Sequence, residues 1–387
     1  MPLIRGASGL VIRCFRKVER CADAVTGAAG PVFVALAWVL TVFCGLAFFD
    51  VVARTLSFWP TLLLLPAYIL VPLNLYGQYW LVTHVGSGFP TARSQRDQPP
   101  SYSPHSLLAP ERYGWHRDGP PPQRAATALE RVRVRRCRKC DGPKPARTHH
   151  CSVCKRCVLL MDHHCPWING CVGLHNQRHF VLFMFWISVG CWTVLTVGFA
   201  RFWESFDFMN EWDAYTPKIG FTLAYILSLA IGIAVPILGG WHLLMVSNGE
   251  TSIETHDNDY LSRKAKSEGL IYLNPYDLGR RRNLENFFNI GPGGYPRITL
   301  LFPLLVPPYS NGWEWPLRPM PTEATPAAPG TKLHTPELAA GLLAQDASAS
   351  NEMGLGDGPG GKYVMGGQDE LTDDEDGGGG WWDRPLE

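Results

Sequence analysis

The sequence predicts an all-α polytopic membrane protein with four transmembrane helices and a cytosolic, zinc-stabilised cysteine-rich domain between helices 2 and 3. Three observations predict it: four apolar stretches of membrane-spanning length, an uneven spread of charge over the segments joining them, and cysteine and histidine crowded into one connection. Of the 387 residues 46% are hydrophobic and only 18% are charged, with a net charge of +1. A soluble chain carries about a quarter charged residues; here charge is absent from long blocks and dense in others, which excludes an ordinary cytosolic enzyme. Near-neutral total charge built from separate basic and acidic segments excludes a chain devoted to nucleic acid.

A hydrocarbon core about 30 Å thick takes about 20 apolar residues of helix. Residues 32–52, 58–82, 180–200 and 219–246 meet that length. The third and fourth carry no charge at all, and neither has the polar face of a helix packed in a soluble core. Asp50 lies near one end of the first; Pro66 and Pro72 lie inside the second, where neighbouring helices can satisfy the freed carbonyls.

Basic residues orient the spans. The arm 1–31 holds Arg5, Arg13, Arg16, Lys17 and Arg20 against Glu19 and Asp23, and the connection 86–179 holds 16 Lys/Arg against 6 Asp/Glu. Both are expected on the cytosolic side. The loop between spans three and four has Arg201 and Lys218 against Glu204, Asp207, Glu211 and Asp213, which places it on the far side. Four spans return the chain to the cytosol, in keeping with Arg263, Lys264, Lys266 and Arg280 to Arg282 beyond span four. The basic arm has no short apolar core with a small-residue cleavage site, so it reads as a retained arm. The expected organisation is then an arm at 1–31, helices 1 and 2 within 32–85, and a flexible Pro/Arg/Ser-rich linker at 86–135. A cysteine-rich domain at 136–179, helices 3 and 4 within 180–246, a cytosolic segment at 247–314 and a disordered acidic Gly/Pro-rich tail at 315–387 complete it. The pair Trp381 and Trp382 reads as part of that solvated tail.

Seven of the eleven cysteines fall between Cys137 and Cys171: Cys137, Cys140, Cys151, Cys154, Cys157, Cys165 and Cys171. His149, His150, His163 and His164 lie among them. In a cytosolic loop disulfides are disfavoured, and tetrahedral Cys3His zinc sites are the default. Two such sites use six cysteines and two histidines, leaving one cysteine over. Spacing alone does not identify it. Cys165, however, follows Asp162, His163 and His164, so a base and an orienting carboxylate stand beside a thiol, as an activated nucleophile requires.

These residues resemble the cysteine-rich domain of the DHHC protein S-acyltransferases (palmitoyltransferases), with Asp162-His163-His164-Cys165 as the signature string. The resemblance runs from span one to about residue 290. It implies one zinc held by Cys137, Cys140, His150 and Cys157, and a second held by Cys151, Cys154, His164 and Cys171. It implies Cys165 as the acylated nucleophile, His163 as general base and Asp162 as its orienting partner. Trp167 matches a family position near the mouth of an acyl cavity. Thr251-Ser252-Ile253-Glu254 resembles the family's Thr-Thr-x-Glu element with Ser at the second position, so a hydroxyl is kept. Asn274-Pro275-Tyr276, through Asn283 to Phe288, resembles the motif that packs the C-terminal segment on the membrane domain. The string GETSIE is similar to that of the abl-philin-like branch.

The activity implied is transfer of a palmitoyl group from palmitoyl-CoA to cysteine thiols of cytosolic or membrane-associated proteins through an S-acyl enzyme. The implied partners are acyl-CoA, proteins with membrane-proximal cysteines and the lipid bilayer, with no nucleic acid. Endoplasmic reticulum or Golgi is the family-level location, with both termini and the site cytosolic. Arg135, Arg136, Arg138 and Lys139 are suited to anionic headgroups or to CoA phosphates. Two other readings compete. A non-catalytic, membrane-tethered zinc scaffold leaves Asp162, His163 and Cys165 without a role, and a zinc-bearing ubiquitin ligase calls for a different ligand order.

Overall fold

A computed structural model describes residues 2–90, 135–207, 209, 211–313, 315–318 and 363–365. The expected linker and the expected acidic tail lie mostly, and Trp381 and Trp382 wholly, outside the described residues. The protein is mostly helical. Helix α1 (Pro2–Val51) and α2 (Phe58–His84) precede three small hairpins, and α3 (Gln177–Val197), the short α4 (Phe199–Glu204) and α5 (Lys218–Ser247) follow them. After these come α6 (Ser252–Ser267) and α7 (Arg280–Phe288).

Among the described residues, four segments are long and apolar enough to cross a membrane: Cys21–Thr55, Phe58–His84, Gln177–Val197 and Lys218–Ser247. The expected spans fall within them except at the end of the third, where α3 closes at Val197 on Gly198. The first helix differs in extent. It runs back from the apolar stretch through the basic arm to Pro2, with Pro31 inside it. Apolar side chains along residues 32–69 of α1 and α2 face outward, among them Val32, Val39, Leu46, Leu63 and Ile69, as lipid-facing surfaces do.

At one end of the bundle Asp50 Oδ2 accepts the Thr216 N–H (2.7 Å), and Arg201 Nε donates to the Val51 carbonyl at the end of α1 (3.1 Å). The cysteine-rich hairpins sit at the other end. There Gly30 of α1 lets Asn169 approach so closely that a Cβ at position 30 would stand 2.0 Å from its Oδ1.

The hairpins are β1 (Arg135–Cys137) with β2 (Gly142–Lys144), β3 (His149–Cys151) with β4 (Arg156–Val158), and β5 (His163–Cys165) with β6 (Gly170–Val172), each antiparallel. Such short pairs bury too little apolar surface to be stable alone. Their turns hold Asp141 and Lys155 at positive φ (51° and 58°), a conformation non-glycine residues adopt only under constraint from their surroundings.

The chain beyond α5 is sewn back onto the membrane helices. Asn283 Nδ2 donates to the Ser247 carbonyl (2.9 Å) and to Asp277 Oδ1 (2.8 Å), closing the C-terminal end of α5. Further on, residues 297–304 lie against α2 and α3. Asn74 Nδ2 donates to the Leu301 carbonyl (2.9 Å), Gln78 Nε2 to the Phe302 carbonyl (3.3 Å), and Arg178 to the Thr299 carbonyl (2.9 Å) and to Phe288 O. Pro303 sits where a Cβ on Gly77 would be, 2.5 Å away. Strand β7 (Ile271–Leu273) pairs in parallel with β8 (Tyr363–Met365), so this short piece of the expected disordered tail forms a strand.

Candidate active site and metal centres

Strand alternation explains how one ribbon serves two metals and a nucleophile. Successive side chains point to opposite faces, so neighbouring His150 and Cys151 on β3 are directed into different clusters. The structure brings Cys137, Cys140, His150 and Cys157 into one group and Cys151, Cys154, His164 and Cys171 into another, with all candidate donor atoms of each within 4.8 Å of one another. Pairing reinforces this: His150 stands opposite Cys157 and His164 opposite Cys171.

The donor spacing fits zinc. Bond lengths of about 2.3 Å to sulfur and 2.0 Å to nitrogen in a tetrahedron give S···N edges of about 3.6 Å and S···S edges of about 3.8 Å. Around His150 Nδ1 the sulfurs of Cys140, Cys137 and Cys157 stand at 3.1, 3.7 and 4.0 Å. Around His164 Nδ1 those of Cys154, Cys151 and Cys171 stand at 3.3, 3.7 and 3.7 Å, and Cys154 and Cys171 are 3.5 Å apart. Two Cys3His clusters therefore fit two zinc ions. With four protein donors each, they are closed sites of the structural kind.

Cys165 belongs to neither cluster. On β5, residues 163 and 165 share a face while His164 turns to its metal cluster, so the alternation sets His163 and Cys165 side by side. The thiol is buried with Tyr79, Val82, Ile168 and Val172, and Phe180 and Phe183 pack beside them. His163 Nδ1 donates to Asp162 Oδ2 at 2.6 Å, which leaves the other ring nitrogen for the thiol. Burial opposes charge on this ring, but the hydrogen bonds of Asp162 and Cys165 and their negative charge outweigh it and raise its pKa to about 9.

Asp162 is 4% exposed and fully engaged. Its Oδ1 accepts the Ser252 N–H (2.7 Å), and its own carbonyl accepts the Ser252 hydroxyl (2.7 Å). Burial alone would favour the neutral acid; His163, the nearby His242 and the Ser252 N–H together hold its pKa below the ordinary carboxylate value. The hydroxyl kept at the second position of the TSIE element is thus in use. Thr251 and Glu254 form a capping box that starts α6. Glu254 also grips Arg147 with both oxygens (2.7 and 2.6 Å), and Arg147 lies 4.2 Å from the centre of the Tyr276 ring and 4.9 Å from that of Trp315.

Trp167 stacks edge-on against Phe33 with ring centres 5.2 Å apart, and its carbonyl accepts the Tyr79 hydroxyl (2.7 Å). It stands beside Cys165 in sequence but does not line the cavity among the helices. That cavity, of about 290 Å³, is walled by α1, α2, α3 and α5, including Leu40, Thr41, Tyr68, Tyr76 and Cys191. Trp38, stacked on Tyr76 and tilted against Tyr79, lies between it and the thiol.

Two participants are not singled out by sequence reasoning. Arg147 lies in the cysteine-rich window without any local pattern to mark it, and only the fold reveals its partner 107 residues away. His242 does carry a signal, as an ionisable residue inside an otherwise apolar span.

Four membrane-length helices thus accompany paired Cys3His clusters that flank an Asp-His-His-Cys strand. Residues 131–259 match the family model described as DHHC palmitoyltransferase, and the chain carries that domain. Among curated relatives it is similar to Palmitoyltransferase ZDHHC16 of Mus musculus, 37% identical over 190 residues covering 46% of this chain and 52% of the relative. It is also similar to Palmitoyltransferase ZDHHC16A of Danio rerio, 29% identical over 235 residues covering 49% and 61%. The third is Palmitoyltransferase pfa3 of Emericella nidulans, 44% identical over 119 residues covering 30% and 23%. The chain spans no more than about three fifths of the length of these relatives.

Proposed function

We propose that this chain is a protein S-acyltransferase that moves a long-chain acyl group, palmitoyl in the first instance, from acyl-CoA to cysteine thiols of membrane-proximal proteins. The observation that carries the reading is a cysteine outside both metal clusters, beside a histidine tied to a buried carboxylate. A scaffold that only bound zinc would have no use for that arrangement.

In the first half-reaction His163 takes the Cys165 proton, and the thiolate sulfur attacks the thioester carbonyl carbon. The bond from that carbon to the CoA sulfur breaks, and the leaving thiolate takes the proton back from the imidazolium. In the second, an acceptor thiol gives its proton to His163 and attacks the acyl carbon, releasing the Cys165 thiolate to be reprotonated. Asp162 keeps His163 in the productive tautomer and stabilises its charged form. The metals, held by Cys137, Cys140, His150 and Cys157 and by Cys151, Cys154, His164 and Cys171, supply fold rather than acid-base chemistry. The position and partners of Asp162 and His163 are what depends on them.

The acyl tail is assigned to the cavity walled by α1, α2, α3 and α5, reached past Trp38 and Tyr79, with Trp167 at its approach. Burial at about 0.8 kcal/mol per methylene favours long chains. The Lys/Arg excess of residues 86–179 puts the site and both termini on the cytosolic side. Endoplasmic reticulum or Golgi is the location proposed.

Incubating the purified protein with palmitoyl-CoA is expected to give a hydroxylamine-sensitive adduct that Cys165→Ser abolishes. A folded, zinc-loaded protein that forms no such adduct would favour the scaffold.

A further inference from the structure

His242 sits on α5, in a span without a formal charge. Its ring is 7% exposed and meets the edges of Phe180 (ring centres 5.9 Å apart) and Phe287 (6.2 Å). Its Nε2 is buried without a partner. An unpaired buried polar atom is unfavourable, and an apolar ring of the same size would fill the space without that penalty. Packing therefore does not account for a histidine here. Its other nitrogen does: Nδ1 faces Asp162 Oδ2 at 3.6 Å, and that same oxygen accepts the His163 proton donor at 2.6 Å.

We propose that His242 is a positioning residue for acyl transfer, its Nδ1–H dipole holding the Asp162 carboxylate with Oδ2 aimed at His163. The inference rests on the acyl-transfer reading above. Asp162 is fixed at Oδ1 by a backbone N–H of α6, but at Oδ2 its partner is the residue that gives and takes a proton in each half-reaction. As His163 returns to the neutral ring its hold on Oδ2 weakens, and a second donor on the same side keeps the carboxylate from turning away. Phe287 behind the imidazole extends the support to α7, so the Asn283-containing segment backs the site through this ring.

The test is the rate of Cys165 acylation by palmitoyl-CoA at varied donor concentration, with zinc measured on the same detergent-purified samples. His242→Phe, which keeps the bulk and removes the N–H, is expected to lower the maximal rate about tenfold or more, with little change in half-saturating donor and both zinc ions kept. His242→Asn, whose amide N–H₂ restores a donor, should stay within about threefold of the unsubstituted protein. In an Asp162→Asn background, His242→Phe should cost less than about a further twofold, because its effect passes through the carboxylate. His242→Met repeats the cycle if the phenyl ring displaces metal. An unaltered rate in the apolar variant, an Asn variant as slow as it, or the same factor with and without Asp162 overturns the proposal. If the unsubstituted protein forms no Cys165 adduct, the acyl-transfer reading falls instead; if it does and His242→Phe matches it, only the positioning role falls.

Discussion

The four duties proposed for Asp162 to Cys165 are divided by the strand His163–Cys165, which turns successive side chains to opposite faces. His164 faces the metal cluster; His163 and Cys165 face the helices. His163→Ala is therefore expected to slow Cys165 acylation by about 10²-fold or more while both zinc ions remain. His164→Ala should lose a zinc as well. Zinc content and acylation rate measured on the same samples separate the two, and equal metal loss would refute the division. Much of this was legible from residue types: the sequence left one cysteine over, and its Asp-His neighbours marked it. His242 and Arg147 were not read, because their partners lie 80 and 107 residues away in the chain and only tertiary structure joins them.

At the scale of elements, each metal cluster joins two neighbouring hairpins, and the middle hairpin serves both. Structural zinc contributes on the order of 10 kcal/mol to segments like these. Cys140→Ala should yield one zinc per chain in place of two and local unfolding seen as faster amide exchange over residues 135–158. The capping of α6 is equally specific. Glu254→Gln keeps the shape but leaves Arg147, buried against Tyr276 and Trp315, without its counter-charge. Breaking a buried pair in this way costs about 3–5 kcal/mol, so the variant should melt well below the unsubstituted protein, and an unchanged melting temperature would contradict the pairing. The TSIE string was marked by resemblance alone, and the structure supplies the use of its Ser: that residue's N–H and hydroxyl both hold Asp162. The docking of residues 297–304 onto Asn74, Gln78 and Gly77 was not legible. A polar residue in a membrane helix advertises a partner but does not say which carbonyl it will meet.

For the whole molecule, the apolar runs read from sequence agree with four membrane-length helices, because length and hydropathy directly set that property. The third ends before its apolar run does, at Val197, with α4 starting again at Phe199, and α1 continues through the basic arm and tolerates Pro31. The proposed orientation rests on charge. A glycosylation acceptor inserted between Arg93 and Arg124 is expected to remain unmodified in correctly inserted protein, and its modification would reverse the proposed sidedness.

The central claim is that eight residues hold two zinc ions while the seventh cysteine of the window, Cys165, holds the acyl group. Its most direct test is mass spectrometry of the detergent-purified protein after brief exposure to palmitoyl-CoA, native for metal content and peptide-resolved for the adduct. The account predicts two zinc ions per chain and one thioester on Cys165, with both ions kept when Cys165 is replaced by serine. A zinc lost from that variant, or a thioester on one of the six cluster cysteines instead, would contradict it.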